Sequence, residues 1–173
     1  MALSKPLVLT GMMGSGKTTV GKALARQLGV PFIDLDEEIE REQQATIRDI
    51  FSKYGETAFR AIEKQKIASL LPKGPAVIAT GGGAVMDEST RVLLQECAIT
   101  VWLKADVETL FKRIKGDETR PLLTGDDPKQ TLRRILTQRE PFYAQARWVV
   151  DNSGRSAETA VEEVLRALKN DGK

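Results

Sequence analysis

The sequence predicts an α/β fold in which helices cover a five-stranded parallel sheet. Apolar runs typical of buried strands recur along the chain, and each run is followed by a segment with helical periodicity. The five runs cover residues 7–10, 31–35, 76–80, 99–103 and 148–150. This alternation favours parallel strands, because a helix carries the chain back across the sheet before the next strand begins.

Length and composition predict one domain over residues 1–173. The chain has 41% hydrophobic residues, which at this length is enough for one well-buried core. The net charge is +2 and opposite charges are interspersed, so no nucleic-acid partner is expected. No signal-peptide pattern or membrane-spanning apolar run is found, so we expect a cytoplasmic protein with no membrane partner. The single cysteine, Cys97, precedes the apolar segment 98–103, and we expect its thiol to be buried.

The first apolar run leads into a glycine-rich segment, Gly-Met-Met-Gly-Ser-Gly-Lys-Thr, at residues 11–18. A strand, such a loop and a helix form a P-loop, in which backbone N–H groups surround a phosphate at the helix N-terminus. Lys17 can reach the β- and γ-phosphates, and Thr18 can offer its hydroxyl to Mg²⁺. The segment therefore predicts a nucleoside triphosphate site rather than a plain turn. Its predicted nucleotide-binding residues are Gly14, Ser15, Gly16, Lys17, Thr18 and Thr19.

Two carboxylates, Asp34 and Asp36, lie at the carboxyl end of the second predicted strand, where parallel sheets bind ligands. In an extended segment, alternation places both on the same side. One could then serve a metal ion through water while the other accepts a hydrogen bond from a substrate hydroxyl. Alternatively, Asp36 caps the helix that follows it. Asp151 also ends a predicted strand, but the Asn-Ser-Gly sequence after it favours a turn.

A glycine run at residues 81–83 and two arginines provide further candidates. Adjacent glycines carry an entropic cost, so we expect a group to approach this backbone closely, which favours a ligand-facing loop over a plain turn. Arg139 continues the apolar stripe of a helix that begins near residue 130, and an inward arginine requires a carboxylate or a bound anion. Arg60 lies one turn from Glu63 in a helix predicted over residues 58–71, and a simple surface ion pair is an equal alternative.

A polar segment with several glycines and prolines separates two predicted helices between residues 115 and 128. In compact domains, loops of this length are commonly functional lids and less commonly disordered connectors. We therefore predict a lid over about residues 113–127.

In order and approximate spacing, these motifs resemble those of shikimate kinases over nearly the whole chain. The set consists of the P-loop, the Asp34-Leu35-Asp36 pair, Phe59-Arg60 with Glu63, the glycine run, Arg120-Pro121-Leu122-Leu123 and Arg139. The resemblance implies a three-layer α/β/α P-loop kinase fold like that of nucleoside monophosphate kinases, with strand order 2-3-1-4-5. It also implies transfer of the ATP γ-phosphate to the 3-hydroxyl of shikimate.

The resemblance assigns an acceptor-binding region to about residues 34–63 and roles to individual side chains. Asp36 would bind the shikimate hydroxyls and act as the base. Arg60 and Arg139 would hold the shikimate carboxylate, with Glu63 fixing Arg60. The backbone donors that complete this substrate site would come from Gly82 and Gly83.

The same resemblance assigns the nucleotide and metal contacts. Asp34 would bind Mg²⁺ through water, next to Thr18. Lys17 and Arg120 would surround the transferring phosphoryl group, which needs positioning and charge neutralisation. Arg113 would stack on adenine, and Arg155 would contact the other side of the base. The expected partners are the small molecules ATP and shikimate, with the protein a monomer.

Three other functions share some of these features. A gluconate or nucleotide kinase would have the same P-loop, sheet and lid, but a different acceptor pocket. A GTP-dependent switch would require an Asn-Lys-x-Asp element, which the sequence lacks. A noncatalytic nucleotide-binding module would have no reason to combine Asp36, Arg60 and Arg139.

Overall fold

The computed structural model describes residues 3–115 and 127–171. Within these ranges, five strands form one sheet in the order β2-β3-β1-β4-β5, and all neighbouring strands are parallel. The predicted fold class and strand order are therefore confirmed. The strands are β1 (Leu7–Thr10), β2 (Phe32–Asp34), β3 (Val77–Ala79), β4 (Ile99–Lys104) and β5 (Trp148–Asp151).

Helices connect the successive strands of the described chain, and one more helix follows the last strand. They are α1 (Lys17–Leu28), α2 (Leu35–Gln43), α3 (Ile47–Leu70), α4 (Glu88–Cys97), α5 (Val107–Ile114), α6 (Pro128–Tyr143) and α7 (Ala157–Asp171), with short 3₁₀ helices at Leu71–Lys73 and Ala84–Met86. No helix of the described ranges combines the length and the apolar composition that a membrane span requires.

The sheet separates two apolar clusters, which gives the predicted three layers. Successive strand residues point to opposite faces, so Leu7 and Leu9 join the cluster under α1 and α7. Val8 joins the other cluster, with residues of α2, α3, α4, α5 and α6. Both faces of the central strand are buried, and for this reason β1 reads as a continuous apolar run.

The segment around Asp36 departs from the sequence prediction. Strand β2 ends at Asp34 and α2 begins at Leu35, so Asp36 lies in the first helical turn and not in an extended segment. The capping residue is Asp34, whose carboxylate accepts a hydrogen bond from the Asp36 N–H at 3.2 Å. Both the alternation argument and the proposed Asp36 cap are therefore wrong. The side chain of Asp34 stabilises the helix start by accepting an otherwise unpaired N–H group.

The exposure of Cys97 and the start of α3 also differ from the prediction. Cys97 is exposed, because it is the last residue of α4 and burial resumes only at Ala98. Helix α3 begins at Ile47, well before the predicted residue 58, and breaks at Gly55, where φ is 79° and ψ is 173°. The break sets the direction of the following segment, which carries Arg60 and Glu63.

Candidate functional site

The P-loop, residues 11–18, leads into the N-terminus of α1. Gly14 and Gly16 adopt left-handed conformations, with φ of 78° and 97°, which residues with a Cβ rarely adopt. Lys17 folds back over the loop, where its Nζ donates to the carbonyl oxygens of Gly11 at 2.9 Å and Met12 at 3.0 Å. The lysine charge is thus held at the loop that would surround a phosphate. Thr19 follows on the exposed side of α1.

A hydroxyl and a carboxylate meet beside this loop. Thr18 Oγ1 donates to Asp34 Oδ2 at 3.0 Å, which joins the start of α1 to the end of β2. Hydroxyl and carboxylate oxygens are suitable ligands for Mg²⁺, which usually takes one or two carboxylates and completes its shell with water and phosphate. Among the described residues, no group of three or more acidic, histidine or cysteine side chains is arranged so that it could hold a metal ion. The pair therefore fits a metal that is held partly by the nucleotide.

Arg113 and Asn152 lie where the P-loop meets the loop after β5. The Arg113 guanidinium donates to Gly14 O at 3.3 Å, Asn152 O at 3.2 Å and Arg155 O at 3.1 Å. The buried Asn152 side chain donates from Nδ2 to Ser15 O at 2.8 Å. Stacking of Arg113 on adenine stays a prediction, as does the adenine contact of Arg155.

Sequence reasoning missed Asn152. The predicted turn is confirmed, since the Ser153 N–H donates to Asp151 Oδ1 at 2.9 Å. Asn152, however, points inwards and supports the P-loop. Arg155 points to Glu163, with its Nη1 2.5 Å from Oε1. Turn composition alone does not show which polar residue of such a loop is buried.

The glycine run at residues 81–83 is crowded by four charged side chains. A Cβ on Gly81 would lie 2.9 Å from Asp36 Oδ1 and 3.0 Å from Glu63 Oε1, and one on Gly83 would overlap the Arg60 guanidinium. The fourth side chain, Arg139, lies beside Gly82. None of the three glycines has a positive φ. Close approach, as predicted, is therefore the reason for glycine here.

Arg60 is half-buried and pairs with a buried carboxylate, so the alternative of a simple surface pair is wrong. Its Nη1 lies 2.6 Å from Glu63 Oε2, and Glu63 is 1% exposed. The guanidinium also packs 5.1 Å from the centre of the Phe59 ring. Burial raises the pKa of Glu63 to about 7, although the neighbouring Arg60 charge and hydrogen bond lower it.

Asp36 stands between the P-loop lysine and this arginine pocket. Burial raises the pKa of Asp36, the Asp34 charge raises it further, and Lys17 and Arg60 act in the opposite direction. Its Oδ1 is buried and has no hydrogen-bond partner in the described part of the chain. A buried carboxylate oxygen with a raised pKa is suited to accept a hydrogen bond or a proton from a ligand hydroxyl.

Tyr143 is a second residue that sequence reasoning did not assign to the site. It is 1% exposed, and its hydroxyl donates to the carbonyl oxygen of Gly82. Burial raises the pKa of this hydroxyl, and the charge of Arg139, one turn earlier in α6, acts in the opposite direction. Apolar periodicity predicts that position 143 is buried, but it does not reveal the partners of a buried hydroxyl.

The chain is similar to known proteins over most of its length. The family model for shikimate kinase matches residues 13–169. This chain belongs to the shikimate kinase family. The shikimate kinase of Cereibacter sphaeroides is 48% identical over 166 residues, covering 96% of this chain and 83% of the relative. That of Bartonella quintana is 43% identical, covering 96% and 79%.

Solved structures of the shikimate kinase family agree with this assignment. A shikimate kinase from Acinetobacter baumannii in complex with shikimate has a TM-score of 0.92 and 38% identity, covering 97% of this chain and 94% of that one. A gluconokinase from Sinorhizobium meliloti has a TM-score of 0.63 and 23% identity, covering 98% and 94%. The second likeness extends to the fold alone.

In this shikimate kinase family member, the structure brings together most of the residues singled out from the sequence. Asp36, Arg60, Glu63 and Arg139 surround the glycine run, and Lys17, Thr18 and Asp34 lie at the P-loop. Arg120 and most of the predicted lid, residues 116–126, lie outside the described residues. Their roles stay predictions.

Proposed function

We propose that this chain transfers the γ-phosphoryl group of ATP to the 3-hydroxyl of shikimate, giving shikimate 3-phosphate and ADP. This reaction is a step of the chorismate and aromatic amino acid pathway. The supporting observation is the pairing of Arg60 and Arg139 around the glycine run, with Asp36 between this pocket and the P-loop. Two arginines suit a carboxylate, and an adjacent buried carboxylate suits a hydroxyl. A small hydroxylated carboxylic acid presents both groups.

The transfer step requires little covalent chemistry from the protein. The 3-oxygen of shikimate forms a bond to the γ-phosphorus while the bond from that phosphorus to the β,γ-bridging oxygen breaks, and ADP leaves. Asp36 takes the proton of the 3-hydroxyl. Lys17 and Arg120 balance the phosphoryl charge, which is the main contribution that a protein makes to this reaction. The sequence has no histidine, which makes a carboxylate the natural proton acceptor.

Thr18 and Asp34 are the residues that would hold Mg²⁺, with Asp34 acting through water. When bound with ATP, the ion neutralises phosphate charge. The hydrogen bond between the two side chains places their oxygens 3.0 Å apart, so both can face one ion or its water shell. Asp34 also caps α2, which fixes its carboxylate at the end of β2.

The remaining assignments complete the proposed complex. The loop residues Gly14, Ser15 and Gly16 with Thr19 would bind the phosphates. Arg113 would stack on adenine, and Arg155 would contact its other side. Gly82 and Gly83 would donate backbone hydrogen bonds to the shikimate carboxylate. We further propose a cytoplasmic monomer.

A coupled assay of ADP release tests the proposed reaction. ATP turnover is measured with shikimate, with gluconate, with nucleoside monophosphates and without an acceptor, and the phosphorylated product is identified by phosphorus NMR. Of the four conditions, we expect ATP turnover only when shikimate is the acceptor. Asp36→Asn is the matched control, since loss of a general base lowers kcat by about 10²- to 10⁴-fold. Faster turnover with gluconate, or ADP release that needs no acceptor, would overturn the proposal.

A further inference from the structure

We infer that Tyr143 is a positioning residue for the acceptor carboxylate, because its hydroxyl holds the carbonyl of Gly82 and so orients the Gly82–Gly83 peptide beside Arg139. The inference rests on the proposed function. It assigns a role to a buried hydroxyl that the proposed chemistry does not use.

The hydroxyl of Tyr143 has its donor committed to the glycine run. A phenol carries one O–H donor, and here it donates to Gly82 O. Arg139 and Tyr143 are four residues apart in α6, so they lie on the same face of the helix. The Arg139 Nη1 is also close to the loop, since it would be 3.3 Å from a Cβ on Gly82.

The contact with Gly82 O controls the next backbone donor. The carbonyl of residue 82 and the N–H of Gly83 belong to one planar trans peptide, so they point in opposite directions. Fixing the carbonyl on Tyr143 therefore directs the Gly83 N–H to the other side of the loop. This N–H is one of the two backbone donors proposed for the carboxylate. The turn around this peptide is closed by the Ala84 N–H, which donates to Gly81 O at 3.2 Å. Without the tether, glycine at both central positions still allows the peptide to flip within that turn.

The tyrosine ring is itself fixed by the core. It stacks on the Trp102 ring of β4, with ring centres 5.8 Å apart and planes at 26°. Its hydroxyl oxygen lies 3.8 Å from Met12 Sδ. The position of the hydroxyl is thus set by the sheet and by the start of the P-loop. Through its hydroxyl, Tyr143 holds the Gly82–Gly83 peptide in a fixed position relative to the sheet and the P-loop.

Tyr143→Phe tests the inference, because it removes the hydroxyl and keeps the ring. Shikimate and ATP are titrated separately by calorimetry, at a temperature below the unfolding midpoint of each variant. We expect shikimate binding to weaken by about 2- to 12-fold, the range for a neutral hydrogen bond. ATP binding should not change. Tyr54→Phe, at an exposed tyrosine of α3, is the matched control and should bind both ligands like the parent.

A ligand without the carboxylate separates positioning from a general packing effect. Shikimate is compared with its carboxamide for the parent and for Tyr143→Phe, which forms a double-mutant cycle between protein and ligand. We expect the substitution to weaken carboxamide binding much less than shikimate binding. Equal losses for both acceptors, an equal loss for ATP, or no loss would overturn the inference. A parent protein that binds no shikimate would instead contradict the proposed function.

Discussion

A methyl group at position 83 would take the place of the Arg60 guanidinium. The Cβ of an alanine there would lie 2.7 Å from Arg60 Cζ and 2.9 Å from its Nη1, both well inside van der Waals contact. Gly83 has φ −101° and ψ −3°, which alanine adopts without strain. Gly83→Ala therefore tests the packing of Arg60 without a change in backbone preference.

The expected size of the effect of Gly83→Ala on shikimate binding follows from how Arg60 is held. Its Nη1 is bound to buried Glu63 at 2.6 Å, and its face packs on Phe59, so the guanidinium cannot move aside without losing these contacts. A displaced Arg60 loses a charge-assisted hydrogen bond to the shikimate carboxylate, worth about 1.5–3 kcal/mol. This corresponds to about 10- to 150-fold weaker shikimate binding. Strain on the Glu63 pair should also lower the unfolding free energy by about 1–3 kcal/mol.

The assay is a titration of Gly83→Ala with shikimate and with ATP, alongside urea unfolding. ATP binding should be unchanged, because the affected atoms lie outside the P-loop. Gly82→Ala provides a graded comparison: its Cβ would be no closer than 3.3 Å to another heavy atom, so its effect should be smaller. A folded Gly83→Ala protein with parental shikimate affinity would refute the assignment of Arg60 to the acceptor.

Three further predictions concern the phosphate loop, the metal and pH. Lys17→Met should remove most activity and leave cooperative unfolding intact in a thermal scan, since Lys17 contacts loop carbonyls rather than the core. Parallel loss of folding and activity would show that Lys17 serves the structure and not the phosphate site. Asp34→Asn should retain the helix cap and raise the Mg²⁺ concentration needed for half-maximal rate, and an unchanged Mg²⁺ dependence would contradict the metal assignment. The pKa of Glu63 is about 7 in the folded protein and 4.5 ordinarily. Folding therefore takes up a proton between pH 4.5 and about 7, and the free energy of unfolding should fall as the pH rises through this window. The loss is at most about 3 kcal/mol, and urea unfolding at several pH values should show a flatter profile for Glu63→Gln; the same slope in both proteins would exclude Glu63 as its source.

The fold was largely predictable because its signal is local. Buried parallel strands are apolar on both faces, so each one stands out as a short run, and the helices between them show regular periodicity. The P-loop combines a sequence motif with a required strand and helix, so it can also be recognised from the sequence. The order of the strands came from the resemblance to shikimate kinases and could not have come from periodicity.

The site was less predictable where two local tendencies compete. Asp34 and Asp36 fit either an extended strand end or a helix start. The helix start prevails, because Asp34 can accept the Asp36 N–H while still reaching Thr18 Oγ1. The capping residue and the metal-binding candidate are therefore the same side chain, a combination that alternation alone does not suggest.

Contacts distant in sequence were missed for a different reason. Tyr143 meets Gly82 across 61 residues, and Asn152 meets Ser15 across 137. Burial of the Tyr143 ring explains the apolar periodicity around it, and turn chemistry explains the residues around Asn152. The neighbouring sequence therefore does not indicate that either polar group faces a loop. Crowding at the glycine run gave a better signal, because the absence of side chains over 81–83 is visible in the sequence itself.

The charges of the pocket explain how Glu63 can hold Arg60 in place without preventing Arg60 from binding an anion. A fully ionised Glu63 would neutralise the guanidinium and oppose the entry of another carboxylate. Its raised pKa means that burial disfavours this charge, so near neutral pH the carboxyl group exists partly in its uncharged form. In that form Oε2 can still accept the Arg60 hydrogen bond while the positive charges of Arg60 and Arg139 remain available to an anion. Glu63 thus fixes the geometry of Arg60 at a smaller electrostatic cost to ligand binding than a fully ionised carboxylate at the same position would impose.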